Sequence, residues 1–450
     1  MNTIAAISTA YGTGAIAVVR VSGDDAIKIA QKVFKSYDGT TLQEMDGYTS
    51  KVGQVFYNGE PIDEVVTTVF KAPKSYNGED IVQISCHGGM YITKLVLRSL
   101  LDAGASMAGR GEFTRRAFLN GKISLEKAES IMGLISSSYE VERKINFSTY
   151  CGALRNKIAE IKNILIDLLS SINAEIDYPD EDIPKLSNDE IVSKIDKSIF
   201  EIDKLVKSYS AGYIIQNGIR TAIIGSPNVG KSTLMNLLSN REKSIVTDIA
   251  GTTRDAIEEK VILGNVPLVL VDTAGIRETE DKIEQIGARK SREIAETANL
   301  ILLLLDSSRE ISNEEFELIH SFDSKKVIII VNKIDINPNF DSSKIENNKI
   351  VYMSAKNSQG LDDLSKEIEK FVDFGSDEGD ELIITTERQR DVLVKSLSSL
   401  NSIKSEIGKI QIDALAEYLK EPLNILSEFS GEQVEDQIVD DLFSKFCVGK

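Results

Sequence analysis

The sequence predicts a multidomain α/β chain: an α+β N-terminal domain, then a helical domain that carries an inserted, doubly wound domain with a mostly parallel sheet. Three observations lead there. The chain has 450 residues, and at roughly 150 residues per domain that length implies about three cores. Residues 217–374 alternate β-runs with helical runs, the pattern of a parallel sheet covered on both faces. Helical periodicity stands on both sides of that stretch, so the flanking helices are expected to pack together. The predicted boundaries are 1–118 for the N-terminal domain, 119–216 and 375–450 for the two parts of the helical domain, and 217–374 for the insertion.

In the first domain the runs AIAVVRVSG, VGQVFYNG, VVTTVFKAP and DIVQISCHGG read as strands between turns, and MYITKLVLRSLLDAG reads as a helix. From Ile123 the texture becomes helical. Leu154, Ile158, Ile161, Leu165, Leu168 and Ile172 are spaced 4,3,4,3,4 along one helix face, a stripe that needs a partner. Only about three heptads are present, which favours packing within the chain over an intermolecular coiled coil. YPDEDIP, with Pro179 and Pro184, breaks the helix. The acidic DFGSDEGDE marks the exit from the insertion, and helices resume from Thr385.

Composition removes many functions. Hydrophobic residues at 42% and charged residues at 27% describe a folded chain. Seventy acidic against 52 basic residues give a net charge of -18, so any contact with a polyanion must be local. Cys86, Cys151 and Cys447 form no metal or disulfide spacing, and His87 and His320 leave little for a histidine-based centre. The N-terminus lacks a basic n-region, and no run reaches about 18 apolar residues. Leu300 to Leu305, the longest run, reads as a buried strand. The expectation is a cytoplasmic protein with no membrane contact.

The chemistry sits in the insertion. TAIIGSPNVGKST places a strand before Gly225, four residues, then Gly230, Lys231 and Ser232, and LMNLLS continues as a helix. Such a loop cradles phosphates with backbone N–H groups, here from Asn228, Val229, Gly230, Lys231, Ser232 and Thr233. Lys231 reaches the β/γ oxygens as the charge-stabilising group, and Ser232 offers its hydroxyl to Mg²⁺. A second strand ends in Asp272-Thr273-Ala274-Gly275, which brings a carboxylate beside the metal and the Gly275 N–H to the γ-phosphate. A third ends in Asn332-Lys333-Ile334-Asp335: the Asp335 carboxylate accepts N1–H and N2–H of guanine, a contact adenine cannot make. Lys333 covers the base with its methylenes, and Ser354-Ala355-Lys356 bring a backbone N–H to the guanine O6. Four motifs in this order resemble the translation-factor-like branch of P-loop GTPases, whose domain is Ras-like, and imply GTP as substrate.

Switch I is expected in SIVTDIAGTTRD, with Thr247, Asp248, Ile249, Ala250, Gly251, Thr252 and Thr253 around the nucleotide and Thr253 as second Mg²⁺ hydroxyl. After DTAG, where Ras-type GTPases orient water with a glutamine, stands Ile276. An isoleucine cannot do this. Glu278, Glu280, Asp281 and Glu284 are the nearby substitutes, and spacing does not choose among them.

GEFTRRAFLNGK, EIDYPDEDIP, DTAGIRETED and the terminal FCVGK together give a more specific likeness, and it covers essentially the whole chain. The chain resembles the MnmE (TrmE) family of tRNA modification GTPases. The resemblance implies a homodimer formed through a folate-binding N-terminal domain, and a flavin (FAD) containing MnmG-like partner with which it forms a heterotetramer or larger assembly. The joint reaction would place an aminomethyl-type group on C5 of the wobble uridine of certain tRNAs. Carried over by position, it makes Asn228, Thr247, Ile249 and Thr252 ligands of K⁺, and Glu284 the water-orienting glutamate. It assigns Arg20, Glu79, Lys122 and Lys450 to a reduced folate, 5,10-methylene- or 5-formyl-tetrahydrofolate, and raises Cys447 as a thiol that could relay a one-carbon unit.

Read without the resemblance, Asn228 is a turn-former beside Pro227, and the four folate-site residues are surface charge. Residues 109–127 carry Arg110, Arg115, Arg116, Lys122 and Lys127 against two glutamates, a local +3 that could meet tRNA phosphate, a folate carboxylate or solvent. The competing function is an Era- or Der-like RNA-binding or ribosome-assembly switch without one-carbon chemistry. A third is a dimeric scaffold with a structural nucleotide.

Overall fold

The computed structural model describes residues 2–178, 186–240, 258–271, 295–345, 349–372, 382–432, 434 and 436–450. It divides into two compact units, each taken by itself below. The first gathers Met1–Met132, Thr149–Arg155 and Asn424–Lys450, and the second Gly133–Ser148 and Asn156–Leu423. The closing residues 424–450, placed by the sequence with the helical domain, thus cluster with the N-terminal segment.

In the first unit the strands β1 (Ile4–Ile7), β2 (Ile16–Ser22), β3 (Phe34–Ser36), β4 (Thr49–Tyr57), β5 (Glu60–Phe70), β6 (Ile81–His87) and β7 (Ser106–Met107) form one sheet in the order β3-β4-β5-β6-β2-β1-β7. All neighbours run antiparallel except β1 and β7. Helices α1 (Ala26–Val33) and α2 (Met90–Asp102) contribute to a core with Val19, Val21, Val82 and Ile84. The period of two does the sorting. Ala5 and Ile7 enter that core, while Ile4 and Ala6 cluster with Phe113 of α3 (Glu112–Leu119). A third cluster joins α4 (Leu125–Ser136) to the chain's end through Leu125, Ala128, Leu442, Phe443 and Phe446.

The second unit holds most of the long helices. After α5 (Glu140–Tyr150), α6 (Ala153–Asp177) carries the predicted stripe, and Leu154, Ile158, Ile161, Leu165, Leu168 and Ile172 are all buried within the chain. Burial of each such side chain is worth about 1.5–3 kcal/mol, which explains why this face sets the helix's orientation. Helix α7 (Asn188–Asn217) opens on a capping box in which the Ser187 hydroxyl accepts from the Glu190 N–H. Lys157 of α6 pairs with Glu201 of α7 at 2.7 Å.

The insertion follows directly. Strands β8 (Ile219–Gly225), β9 (Glu258–Leu263), β10 (Val266–Val271), β11 (Leu300–Asp306), β12 (Val327–Asn332) and β13 (Lys349–Tyr352) form a sheet in the order β13-β12-β11-β8-β10-β9. Every neighbour is parallel except the edge pair β9 and β10. Leu300 to Leu305 is the buried strand expected, covered on both faces: Leu300, Leu302 and Leu304 join one core, and Ile301, Leu303 and Leu305 the other. Helices α8 (Lys231–Asn240), α9 (Asn313–His320) and α10 (Leu361–Val372) belong to this domain.

Residues 382–386 then return beside α7. The Ile384 N–H donates to Ser208 Oγ at 3.1 Å, and a Cβ on Gly212 would collide with the Ile384 carbonyl, so only glycine admits this crossing. Helices α11 (Glu387–Glu406), α12 (Ile412–Ser430) and α13 (Asp436–Ser444) complete the chain. Helix α11 packs along α7, with Lys404 and Asp196 at 2.5 Å.

Candidate functional site

The C-terminal ends of β8, β11 and β12 meet at one edge of the inserted sheet, the place where open α/β sheets bind ligands. β8 runs out at Gly225, the loop 226–230 turns, and α8 starts at Lys231. Asn228 stands at φ +64, the left-handed region that asparagine tolerates better than most residues, and it is exposed. Its turn-forming role is therefore real, and its amide oxygen is a hard donor of the kind K⁺ accepts.

Lys231 Nζ donates to the carbonyls of Gly225 at 2.7 Å and Ser226 at 2.9 Å. Burial holds its ammonium below the usual lysine value, a penalty that phosphate oxygens would offset. Ser232 and Thr233 lie exposed in the first turn of α8, where the hydroxyl of Ser232 fits a hard cation such as Mg²⁺.

The base-recognition loops are strapped to this loop. Asn332, buried at the end of β12, donates from Nδ2 to the Val229 carbonyl at 2.8 Å and accepts the Ala355 N–H on Oδ1 at 2.9 Å. A side chain on Gly230 would collide with that Asn332 amide. Lys333 takes φ +67, a left-handed conformation that is costly for a residue with a Cβ. Its carbonyl accepts from Ser307 Oγ at 2.7 Å and from the Ile336 N–H at 2.8 Å, and its ammonium meets Asp306 Oδ2 at 2.5 Å. Asp306 is nearly buried, yet hydrogen bonds from Lys333 and Ser308 outweigh the cost of burial and keep its carboxyl below the ordinary range. Asp335 and Lys356 are exposed beside them, and Ser354 is buried.

A second constellation lies in the first unit. Arg20 of β2 is directly opposite Gln83 of β6, and with the Gln83 amide turned to face it, the oxygen accepts from Nη2 at 2.8 Å and Nε at 3.1 Å. The alternation that sends Val19 and Val21 into the core puts Arg20 on the face of Tyr76 and Phe113, whose ring centroids lie 5.6 and 5.5 Å from its guanidinium carbon. Lys450 is half-buried nearby. Burial first, then the Arg20 charge, lowers its pKa, and Cys447 partly opposes this. Arg20 itself is lowered by burial.

The closing residues reach this place as an added edge. The Gly111 N–H donates to the Cys447 carbonyl at 3.3 Å, Arg110 bridges Val448, the Phe113 N–H donates to the Lys450 oxygen at 3.1 Å, and Ser8 Oγ donates to the Gly449 carbonyl at 3.0 Å. Cys447 is exposed.

The remaining expectations fare differently. Glu79 has a side chain only 12% exposed, its Oε2 taken by Ser22 Oγ at 2.7 Å and Asn77 Nδ2 at 3.0 Å, and both oxygens approached by Arg116. Lys122 is exposed and donates to the Pro73 carbonyl at 3.1 Å. The basic segment 109–127 is not a free +3. Arg116 is 6% exposed and paired with Glu79 and Glu112, Arg115 pairs with Asp440 at 2.9 Å, and Lys127 sits over the Tyr150 ring. Burial needs a counter-charge for Arg116, and Glu79 from a remote loop and Glu112 one helical turn earlier supply it. Thr247, Asp248, Ile249, Ala250, Gly251, Thr252, Thr253, Asp272, Thr273, Ala274, Gly275 and Glu284 lie outside the described residues.

Comparison with known proteins agrees with this layout. Residues 125–447 match the family model of the MnmE helical domain, and residues 3–122 match the model described as the N-terminus of the GTP-binding protein TrmE. The chain is 40% identical over 456 residues to the tRNA modification GTPase MnmE of Lactobacillus acidophilus, covering 100% of this chain and 98% of that one. It is 38% identical over 455 residues to the MnmE of Clostridioides difficile, covering 100% and 99%. The chain belongs to the MnmE family of tRNA modification GTPases.

Within this MnmE-family chain, sequence reasoning missed the residues that support the motifs. Asp306 and Ser307 follow an apolar strand and read as an ordinary strand end, although they hold Lys333. Tyr76 and Phe113 carry no local signal that would set them beside Arg20. Glu315 was visible only as the fourth residue of the capping spacing Ser312-x-x-Glu315, and its contact to Ser226, 89 positions away, has no local signal. Among the described residues, no helix is long and apolar enough to cross a membrane.

Proposed function

We propose that this chain is the GTP-hydrolysing subunit of a cytoplasmic enzyme that installs aminomethyl or carboxymethylaminomethyl groups on C5 of uridine 34 of certain tRNAs. It works as a homodimer with an FAD-containing, MnmG-like partner and draws the one-carbon unit from a reduced folate. The observation that carries the GTPase half is the strapping of the phosphate loop to the guanine-selecting loops through Asn332. Full-length identity to proteins named tRNA modification GTPase MnmE supports the other half.

In this reading Asp335 selects guanine by accepting N1–H and N2–H, and Lys333 lies over the base plane, its ammonium anchored by Asp306. Lys231, steadied by two loop carbonyls, meets the β/γ oxygens and offsets charge that grows on them as the bond to the leaving phosphate breaks. Ser232 and Thr253 are the proposed Mg²⁺ hydroxyls, and Asn228, Thr247, Ile249 and Thr252 the proposed K⁺ ligands. A bound alkali cation supplies there the positive charge that an arginine finger supplies in other GTPases. Glu284 orients the attacking water in place of the missing glutamine. Arg20 and Lys450 hold the folate's carboxylates, with Tyr76 and Phe113 as an apolar wall, and Cys447 lies within reach as a thiol.

The test pairs two readouts. GTP turnover is compared in K⁺ and Na⁺, and wobble uridines are analysed in cells carrying Glu284→Ala. Faster turnover in K⁺, with loss of both turnover and modified uridine in the variant, is expected. Equal rates in both salts would overturn the cation assignment, and a normal uridine profile would separate GTP hydrolysis from modification.

A further inference from the structure

Glu315 is a carboxylate in the first turn of α9 with its side chain only 4% exposed. A buried charge costs several kcal/mol unless it is fully paired. Capping α9 accounts for one oxygen alone: Oε2 accepts from the Ser312 N–H at 3.1 Å, with Arg309 Nη1 at 3.3 Å. The other oxygen, Oε1, accepts from Arg309 Nη2 at 2.6 Å and from Ser226 Oγ at 2.7 Å. A capping glutamate is ordinarily solvated and needs neither an arginine nor a hydroxyl from a remote loop. Here both are present, and the remote loop is the one that precedes Lys231.

Ser226 is bonded on two sides. Its hydroxyl is fixed by Glu315, and its carbonyl accepts Lys231 Nζ at 2.9 Å, beside the Gly225 carbonyl at 2.7 Å. We propose that Glu315 is a positioning residue for the phosphate loop: through Ser226 it fixes the carbonyl pair that steadies Lys231, with Arg309 neutralising the buried carboxylate. This rests on the GTPase reading above. The physical need is clear, because a cation that stabilises phosphate must be held within about 0.5 Å of its working place by groups that are themselves locked.

The test uses the full-length protein and removes the link without touching the α9 cap or the Arg309 pair. Ser226→Ala is expected to weaken GDP and GTP binding about threefold to tenfold, the worth of one ordinary net hydrogen bond, since the bond lost acts on the nucleotide only through Lys231. The loss should appear in KM and also in kcat, since Lys231 meets phosphate in the ground state and offsets the charge that grows in the transition state. Melting should stay within about 2 °C of the parent. Ser226→Thr, which keeps the hydroxyl, should restore affinity. In a cycle with Glu315→Ala, which removes the acceptor of the Ser226 hydroxyl together with the cap, adding Ser226→Ala should cost no further affinity, because the link is already absent. Unchanged affinity and KM in Ser226→Ala would overturn the proposal, as would strictly additive losses in the cycle. A parent protein that neither binds nor cleaves GTP would instead overturn the GTPase reading itself.

Discussion

Asn332 and Val229 are joined by a 2.8 Å hydrogen bond from Nδ2 to the backbone carbonyl, across 103 positions of sequence. It makes the base loop and the phosphate loop one object, because the same side chain also accepts from Ala355. Asn332→Asp keeps the shape and the acceptor but sets an oxygen against the Val229 carbonyl. Leaving these buried groups unmatched costs about 1–3 kcal/mol. Titration with a fluorescent GDP should therefore show affinity reduced on the order of tenfold to a hundredfold. Parent-like affinity would show that the strap is not needed.

Asp306 holds the Lys333 ammonium at 2.5 Å. Asp306→Asn keeps the size and removes the charge that holds the lysine where, in the proposed reading, it covers the base. Guanine nucleotide should dissociate faster, by roughly threefold to tenfold, as expected for a partly buried charge-assisted bond. Stopped-flow displacement measures this directly, and an unchanged off-rate would contradict it.

Gly449 has φ +95 and lies so close to the Ile7 carbonyl that a Cβ has no room. Gly449→Ala should lift the closing residues off β1, with a stability loss of about 1–3 kcal/mol in denaturant melts. Lys450 leaves Arg20 at the same time. If the proposed folate site is right, calorimetry with a reduced folate should show weaker binding than Lys450→Ala alone, whereas full-strength binding would separate that proposed site from the tail.

His87 Nδ1 lies 2.6 Å from Asp63 Oδ1 on a ring whose side chain is 73% exposed. The hydrogen bond that its ring N–H donates to Asp63, then the Asp63 charge, raises the His87 pKa above 6.5. A raised folded-state pKa stabilises the fold fully below about 6.5 and loses that contribution as pH climbs through the raised value. NMR titration of His87 should show the elevated midpoint, and Asp63→Asn should return it towards 6.5. An unmoved midpoint in the variant would discount the pair.

Much of the scaffold was legible because it follows from periodicity. The six-residue stripe of α6 and the all-apolar β11 are local patterns with one low-energy outcome each, and the structure buries both as read. The phosphate loop was legible for a related reason: it is a strand end, a turn and a helix start in contiguous sequence. What escaped was long-range and polar. Arg116 looks like a surface cation until Glu79, from another loop, closes on it at 3.2 Å. Glu315 looks like a helix cap until Ser226 arrives from β8's end. Charge pairing across the fold has no period, so a linear pattern does not reveal it.

The crossing of Ile384 over Gly212 has a mechanical meaning. The inserted domain begins beyond Asn217 at the foot of α7, and the chain comes back past the same helix one turn earlier. Outgoing and incoming segments share one narrow neck, as the two legs of a hairpin share a clamp. The bare Cα at position 212 is what lets the returning segment lie against α7 at that neck.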